Sequence, residues 1–332
     1  MMGEEFLLGL TVLIIKSAVV LLVVLTLAAY MVLFERKLLG RMQLRYGPNR
    51  VGPYGSLQLL ADGVKLLLKE DLVPDGADRV LFFLAPGILT FTTLAVFALV
   101  PFGGTIHLFG HAVPLVIGDT DIGVLVFLAL SSIGVYSVAL GGWASNNKFS
   151  LIGSVRGVAQ MVSYELPLSL SLVPIFMLAG SLSLTDIVDA QARYPFIVVQ
   201  PVAALIFFIC GLAESKRIPF DIPEGENELQ AGFHTEYSGM RFALFFLGEY
   251  VNMILLGALM AVFFLGGWRG PFLPGPVWLL LKIMIVPFLL IWTRGTLPRL
   301  RYDQLMHFCW KILMPLALVN VIITGAVMAA LN

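Results

Sequence analysis

The feature that most constrains this chain is a series of apolar runs, each about 20 residues long and almost free of charge. A helix rises about 1.5 Å per residue and a bilayer's hydrocarbon core is about 30 Å thick, so each run suits one membrane crossing. Eight such runs occur, at roughly 6–33, 80–101, 121–143, 161–181, 195–213, 242–267, 276–293 and 309–331. Only 13% of the 332 residues are charged and 59% are hydrophobic, whereas a soluble domain carries about 25% charge. The expected fold is all-α, a single polytopic transmembrane domain over 1–332 with about eight spans. The first run would form a helix of about 42 Å, so it should tilt or project beyond the bilayer. Glu4 and Glu5 stand where a signal peptide would be basic, which makes that run a span rather than a cleaved leader.

The cations fall on one side. The first inter-span loop holds Arg36, Lys37, Arg41, Arg45, Arg50, Lys65, Lys69 and Arg79. The third holds Lys148 and Arg156, the fifth Lys216, Arg217 and Arg241, and the seventh Arg294, Arg299, Arg301 and Lys311. Even-numbered loops carry only Arg193 and Arg269, while Lys16 and Lys282 lie within spans. The positive-inside rule then puts the odd loops, at about 34–79, 144–160, 214–241 and 294–308, on the cytoplasmic side and both termini on the opposite side.

Several chemistries are excluded. Equal numbers of basic and acidic residues, 21 of each, argue against nucleic acid as a partner. Cys210 and Cys309 are too few and too far apart for an iron–sulfur site or a CxxC pair. The four histidines are scattered, with His107 and His111 in a segment broken by Gly110 and Pro114. The chain is expected to hold neither a metal nor a redox centre of its own.

The odd loops carry the informative residues. In loop 1, Gly47-Pro48-Asn49 and Gly52-Pro53 mark turns, and a helical pattern starts at Ser56. Gln58, Asp62, Lys65 and Lys69 form one polar stripe, while Leu57, Leu60, Val64, Leu67 and Leu68 fill much of the remainder. A helix this apolar and this short suits the membrane interface, either as an anchor or as a portal for a lipid-soluble molecule. Glu35, Arg36 and Lys37 sit at the inner end of span 1.

Acids also enter the apolar runs. Glu165 lies about five residues inside span 4 and two before Pro167, and Glu249 lies in the middle third of span 6. An intramembrane acid costs up to about 3 kcal/mol, which suits either a functional carboxyl or a helix-end acid hydrogen-bonded to a neighbouring helix. A kink at Pro167 should free a carbonyl and open a polar pocket. Loop 5 gathers Glu214, Asp221, Glu224, Glu226, Glu228 and Glu236 against Lys216, Arg217 and Arg241, and Pro219, Pro223 and Gly225 rule out one regular helix. Carboxylates clustered in partly dry surroundings raise one another's pKa, as a proton relay requires. Loop 7 places Arg294, Arg299, Arg301 and Asp303 beside Gly295 and Pro298.

Five strings carry a resemblance: ERKLLGRMQLRYGPNRVGPYG, ADGVKLLLKED, GWASNNKFSLIGSVRGVAQMVSYELP, AESKRIPFDIPEGENELQAGFHTEYSGMRFALFFLGEYVNM and RGTLPRLRYDQLM. In this order, over residues 35 to about 306, the chain resembles the H (or 1) subunit of respiratory complex I, the proton-pumping NADH–quinone oxidoreductase. It departs at Leu59, where the family often has proline, and at Gly225, which could loosen its turn.

The resemblance implies the membrane half of a quinone chamber. Its partners would be soluble quinone-site and iron–sulfur subunits, and small and antiporter-like membrane subunits, in a bacterial inner membrane. Quinone would be a bound substrate, and FMN and iron–sulfur clusters would lie only on partners. Glu35, Arg36, Asp62, Lys65, Arg294 and Arg299 match charged positions that line the quinone cavity. Glu165, Glu214, Asp221, Glu224, Glu226, Glu228 and Glu249 match the acids leading from it into the membrane. No residue of this chain is expected to be catalytic in itself. Ubiquinone and menaquinone, proton and sodium coupling, and the electron donor stay open. The alternatives are the equivalent component of a membrane-bound hydrogenase, against which the loop 1 match argues, and a freestanding ion transporter, against which the motif-rich one-sided loops argue. A purely structural anchor leaves the intramembrane acids without a reason.

Overall fold

In the computed structural model, which describes residues 2–108 and 111–331, the chain is a bundle of helices, as the apolar runs require. The side chains of 2–6, 8, 107, 108, 111, 112, 226 and 227 lie outside that description. Seven helical segments are long and apolar enough to cross a membrane, and one shorter apolar helix accompanies them. In chain order the elements are α1 (Met2–Met42), α2 (Gln58–Leu68), α3 (Arg79–Val96), a hairpin of β1 (Thr105–Leu108) and β2 (His111–Pro114), α4 (Gly123–Ala144), α5 (Lys148–Ala179), α6 (Leu184–Ala190), α7 (Phe196–Val199), α8 (Pro201–Glu214), α9 (Glu226–Leu229), α10 (Gly239–Phe264), α11 (Gly275–Thr296), α12 (Tyr302–Phe308) and α13 (Met314–Leu331). A π-helical turn, Cys309–Leu313, joins α12 to α13 into one membrane-length segment.

Boundaries differ from the sequence-based expectation, most of all at three places. The expected fifth span is broken at Gln200-Pro201 into α7 and α8, because Pro201 starts a new helix and cannot donate to the preceding turn. The fourth begins at Lys148 rather than 161, capped by the Asn147 side chain accepting from the Phe149 amide at 2.9 Å. Its first turns bury Ser150, Gly153, Ser154 and Gly157, small residues that a search for apolar runs passes over. Lys148 and Arg156 therefore stand on a helix, and loop 3 shrinks to residues 145–147. Helix α1 continues to Met42, well past the expected end, so Glu35, Arg36 and Lys37 are helical.

Helix α10 is the centre of the bundle and packs against α1, α3, α8 and α11. Two-thirds of its most apolar window is buried, against 11% for α1, whose Leu7, Ile14, Ile15 and Leu22 face outward. The short hairpin, which no pattern in the sequence foreshadowed, caps one end. Lys16 of α1 donates to the carbonyls of Pro114 and Val116 there, at 3.1 and 3.0 Å. Lys282, the other cation within a span, donates to the carbonyls of Leu265, Gly267 and Arg269 at 2.6–2.8 Å. Both ammonium groups thus meet backbone oxygens rather than bare hydrocarbon.

Helix α5 runs unbroken through Pro167. Proline has no amide hydrogen, which frees the carbonyl four residues earlier, and Cys309 Sγ donates to that Ser163 carbonyl at 3.0 Å. Pro287 of α11 likewise frees the Ile283 carbonyl. Gly257 of α10 packs so closely there that a Cβ would lie 2.5 Å from that oxygen. Helix α2 buries no residue, and Leu60, Leu67 and Leu68 are each more than 60% exposed. It forms a separate helix with its apolar residues exposed, where the stripe predicts one.

Candidate functional site

Loop 5 leaves α8 at Glu214 and packs against α1, α5 and α10. Gln160 of α5 holds it in place, its Nε2 donating to the carbonyls of Ala213 and Phe220 at 2.8 and 2.7 Å. The Leu300 amide donates to the Pro219 carbonyl at 3.1 Å, which ties loop 7 to loop 5. Two residues at the start of loop 5, Lys216 and Arg217, turn inward and are 3% and 7% exposed.

Arg217 joins two acids from different helices. Its Nη1 lies 3.6 Å from Glu35 Oε1 and its Nη2 lies 4.0 Å from Glu249 Oε2, and the guanidinium stacks 4.7 Å over the Tyr250 ring. Glu35, itself buried, also accepts from Arg294 Nη1 of α11. The buried cluster thus runs Arg294–Glu35–Arg217–Glu249. Lys216 reaches Glu249 from the other side, its Nζ 3.9 Å from Oε1.

The sequence-predicted quinone residues fall into three places. Glu35 and Arg294 form the cluster just described. Arg36 of α1 and Asp62 of α2 pair at 2.7 Å on the partly exposed face between the two helices, where Gln58 also donates to Asp62 at 3.0 Å, and Lys65 lies exposed on α2. Arg299 abuts loop 5, and its Nε and Nη2 are buried without a hydrogen-bond partner among the described residues. A Cβ on Gly225 would lie 3.0 Å from Arg299 Nη2, and Gly225 takes a left-handed φ of 41°. The glycine therefore does not loosen its turn. It admits the guanidinium and accepts at its carbonyl from the amides of Glu228 and Leu229 at 2.7 and 2.8 Å.

Of the loop 5 acids, Asp221 has a carboxylate oxygen, Oδ1, that is buried without a hydrogen bond among the described residues. Burial raises its pKa to about 6, held back by Arg299 and raised further by Glu249. Burial, and then the charge of Asp221, push Glu224 up as well. Glu228 points the other way. It pairs with Arg156 of α5 at 2.7 Å on the exposed side, and that contact holds its carboxyl below the usual range. Glu226 belongs to α9, but its side chain lies outside the described residues.

At the end of α8, Glu214 accepts from Ser131 Oγ at 2.8 Å, and on α5 Glu165 accepts from Ser132 Oγ. Two small cavities meet at Glu214. One, of about 10 Å³, is bordered by Tyr164, Glu165, Cys210 and Glu214. The other, of about 30 Å³, is bordered by Thr92, Thr93, Ser131, Glu214, Lys216, Glu249 and Asn252. The larger has room for a water molecule and enough polar neighbours to hold one, and the smaller is at the lower limit of that size. Glu214 thus borders both cavities, with Glu165 on the far side of one and the Lys216–Glu249 pair on the far side of the other.

Lys216, Arg217, Ser131, Ser132 and Asn252 were not singled out by the sequence. Lys216 and Arg217 counted only as cytoplasmic cations. Their signal was the string ESKRIPFD, two bases enclosed by acids and followed by an apolar, proline-locked segment that draws them inward. The serines and the asparagine left no pattern in an apolar helix. No group of three or more His, Cys, Asp or Glu suited to a metal occurs among the described residues.

The sequence model of the NADH dehydrogenase family matches residues 15–325. An NADH-quinone oxidoreductase H subunit of Syntrophobacter fumaroxidans, the second of that name, is 63% identical over 318 residues, 96% of each chain. The H subunit of the NADH-quinone oxidoreductase of Syntrophotalea carbinolica is 60% identical over 323 residues, covering 97% of this chain and 98% of that one. Its counterpart in Thermomicrobium roseum is 52% identical over 320 residues, 93% of this chain and 94% of that one. With a family match over nearly its whole length and relatives this similar, the chain belongs to the family of NADH-quinone oxidoreductase H subunits, membrane components of that oxidoreductase complex.

Proposed function

We propose that this subunit forms the membrane side of a quinone chamber and couples quinone reduction to proton movement through its buried acids. The observation that carries the reading is the position of Glu214, which borders two small cavities, one reaching Glu165 and the other reaching Lys216 and Glu249 beside the charges of loops 1, 5 and 7. A quinone headgroup would lie against loops 5 and 7, where Arg299 and Asp221 keep buried polar atoms without partners among the described residues. It would enter past α2, whose exposed leucines suit the lipid boundary. Arg36, Asp62 and Lys65 would line that entry, and Glu35 and Arg294 its inner wall.

Electrons would come from an iron–sulfur cluster on a soluble partner, itself supplied through FMN, while this chain contributes charge and shape. Reduction of a quinone to a quinol takes up two protons, which changes the charge that Asp221 and Glu224 experience. Acids whose pKa burial has raised, as here, respond to such a change by taking or releasing protons. Glu249, Glu214 and Glu165 would pass the response into the membrane toward antiporter-like partners. The odd loops would face the cytoplasm of a bacterial inner membrane and both termini the periplasm, as the distribution of cations supports.

The test is photolabelling of the purified complex with an azidoquinone. Label on residues 35–71 or 294–303 of this chain, displaced by excess quinone, is the expected result. Displaceable label confined to other subunits would remove the chamber from this one.

A further inference from the structure

Lys216 is a buried group of the site that its ion pair does not account for. Its backbone has φ 54°, the left-handed region that a non-glycine residue adopts only at a steric cost. That conformation sends the side chain inward, where it is 2% exposed. The ammonium makes no hydrogen bond among the described residues. Its nearest carboxylate oxygen is 3.9 Å away, and it stands 4.8 Å over the Phe233 ring. An ammonium placed only to neutralise Glu249 would close to hydrogen-bond distance. This one is held short of contact, at the edge of a cavity that also borders Glu214. Arg217 already supplies Glu249 with a fixed positive charge.

We propose that Lys216 is itself a proton carrier between Glu214 and Glu249, its amine alternating between charged and neutral forms across the 30 Å³ cavity. The proposal rests on the relay reading above and deepens it. In one direction the ammonium N–H bond breaks and a Glu249 O–H bond forms, turning an ammonium–carboxylate pair into an amine and a carboxylic acid with no change in total charge. The neutral amine then takes a proton delivered through the cavity's water from the Glu214 carboxyl, which becomes a carboxylate. The charged groups that face Lys216 are Glu249 from α10, Glu214 from α8, and Glu224 and Arg217 from loop 5. The walls supplied by α3, α4 and α5 are uncharged: Thr92, Thr93, Ser131 and Met161. Burial lowers the lysine's pKa, Arg217 lowers it further and the three acids oppose this, so the neutral form is nearer to hand than in water.

The test uses the whole complex in proteoliposomes carrying Lys216→Arg, Lys216→Gln, Lys216→His or Glu249→Gln, with NADH oxidation by a hydrophilic acceptor as the measure of assembly. Arginine keeps the positive charge but does not release a proton at working pH. Both Lys216→Arg and Lys216→Gln are expected to lose at least ten-fold in proton-coupled turnover, as is Glu249→Gln. Lys216→His is expected to retain part of it, with the alkaline limb of its pH profile shifted by at least one pH unit toward acid. Wild-type pumping in Lys216→Arg would make the lysine a fixed counter-charge and overturn the proposal. Normal pumping in every Lys216 variant beside a dead Glu249→Gln would take Lys216 off the path and leave the relay standing. Normal pumping in Glu249→Gln as well would remove the relay itself. If the Arg and Gln variants fail to assemble, the Lys216→His profile decides, and an unshifted limb overturns the proposal.

Discussion

Ser131 and Ser132 are neighbours on α4, yet their hydroxyls serve acids on two different helices: Ser131 donates to Glu214 of α8 and Ser132 to Glu165 of α5. Consecutive residues diverge by about 100° around a helix, so a single turn of α4 reaches both flanking helices. One pair of serines thereby fixes the spacing of two carboxyls. A hydrogen bond to a charged group contributes about 1.5–3 kcal/mol. Ser131→Ala and Ser132→Ala should each reduce proton-coupled turnover about ten-fold while NADH oxidation by a hydrophilic acceptor stays normal, measured in proteoliposomes.

Arg217 and Arg36 should respond oppositely to the same change. Arg217 is buried between Glu35 and Glu249, so Arg217→Met leaves Glu35 with Arg294 alone and Glu249 with Lys216 alone, two buried acids short of one cation, and should cost about 3–5 kcal/mol. Arg36 is half exposed and pairs with Asp62 on the partly exposed face between α1 and α2, where such pairs contribute at most about 1 kcal/mol. Thermal unfolding of the complex should show a large loss for the first and almost none for the second. Arg36→Met should instead raise the KM for quinone.

Asp221 sets a pH dependence whose sign is fixed. Its pKa is about 6 in the folded chain, against an ordinary 3.8. Between these values the folded chain holds a proton that the unfolded chain has released, so the group favours folding on the acid side. That contribution is lost as pH rises through 6. Arg299 opposes the rise, so Arg299→Ala should move the corresponding limb of the turnover profile to higher pH, and Asp221→Asn should abolish it.

Gly257 tests the packing that positions the cluster. A Cβ there would press on the Ile283 carbonyl at 2.5 Å and push α11, which carries Arg294, away from α10. Gly257→Ala should destabilise by about 1–3 kcal/mol through overpacking. Gly87→Ala, where nothing lies within 4 Å, should be neutral in the same thermal scan.

Most of this fold was readable from hydropathy, because a span must satisfy its own backbone and face lipid with apolar side chains. What escaped was built from residues that hydropathy weighs poorly. The start of α5 rests on Gly153, Ser154 and Gly157, and the break at Pro201 lies within a run that is apolar on both sides. In the site, the cost of a buried charge picked out Glu165 and Glu249 from sequence alone. Their partners were hidden because Lys216 and Arg217 read as ordinary cytoplasmic cations until the fold turned them inward. Glu228 stood among the relay acids in the sequence, yet its side chain turns outward to Arg156. Glu228→Gln should therefore leave the proton-to-electron ratio unchanged, whereas Glu224→Gln should lower it.

The most direct measurement is the proton-to-electron ratio of the reconstituted complex carrying Glu214→Gln, the residue at which the two cavities meet. If protons pass between Glu165 and Glu249 through that carboxyl, quinone reduction driven by NADH should continue at a reduced rate with pumping lost or cut several-fold. Pumping at the wild-type ratio, with quinone reduction equally intact, would contradict the account.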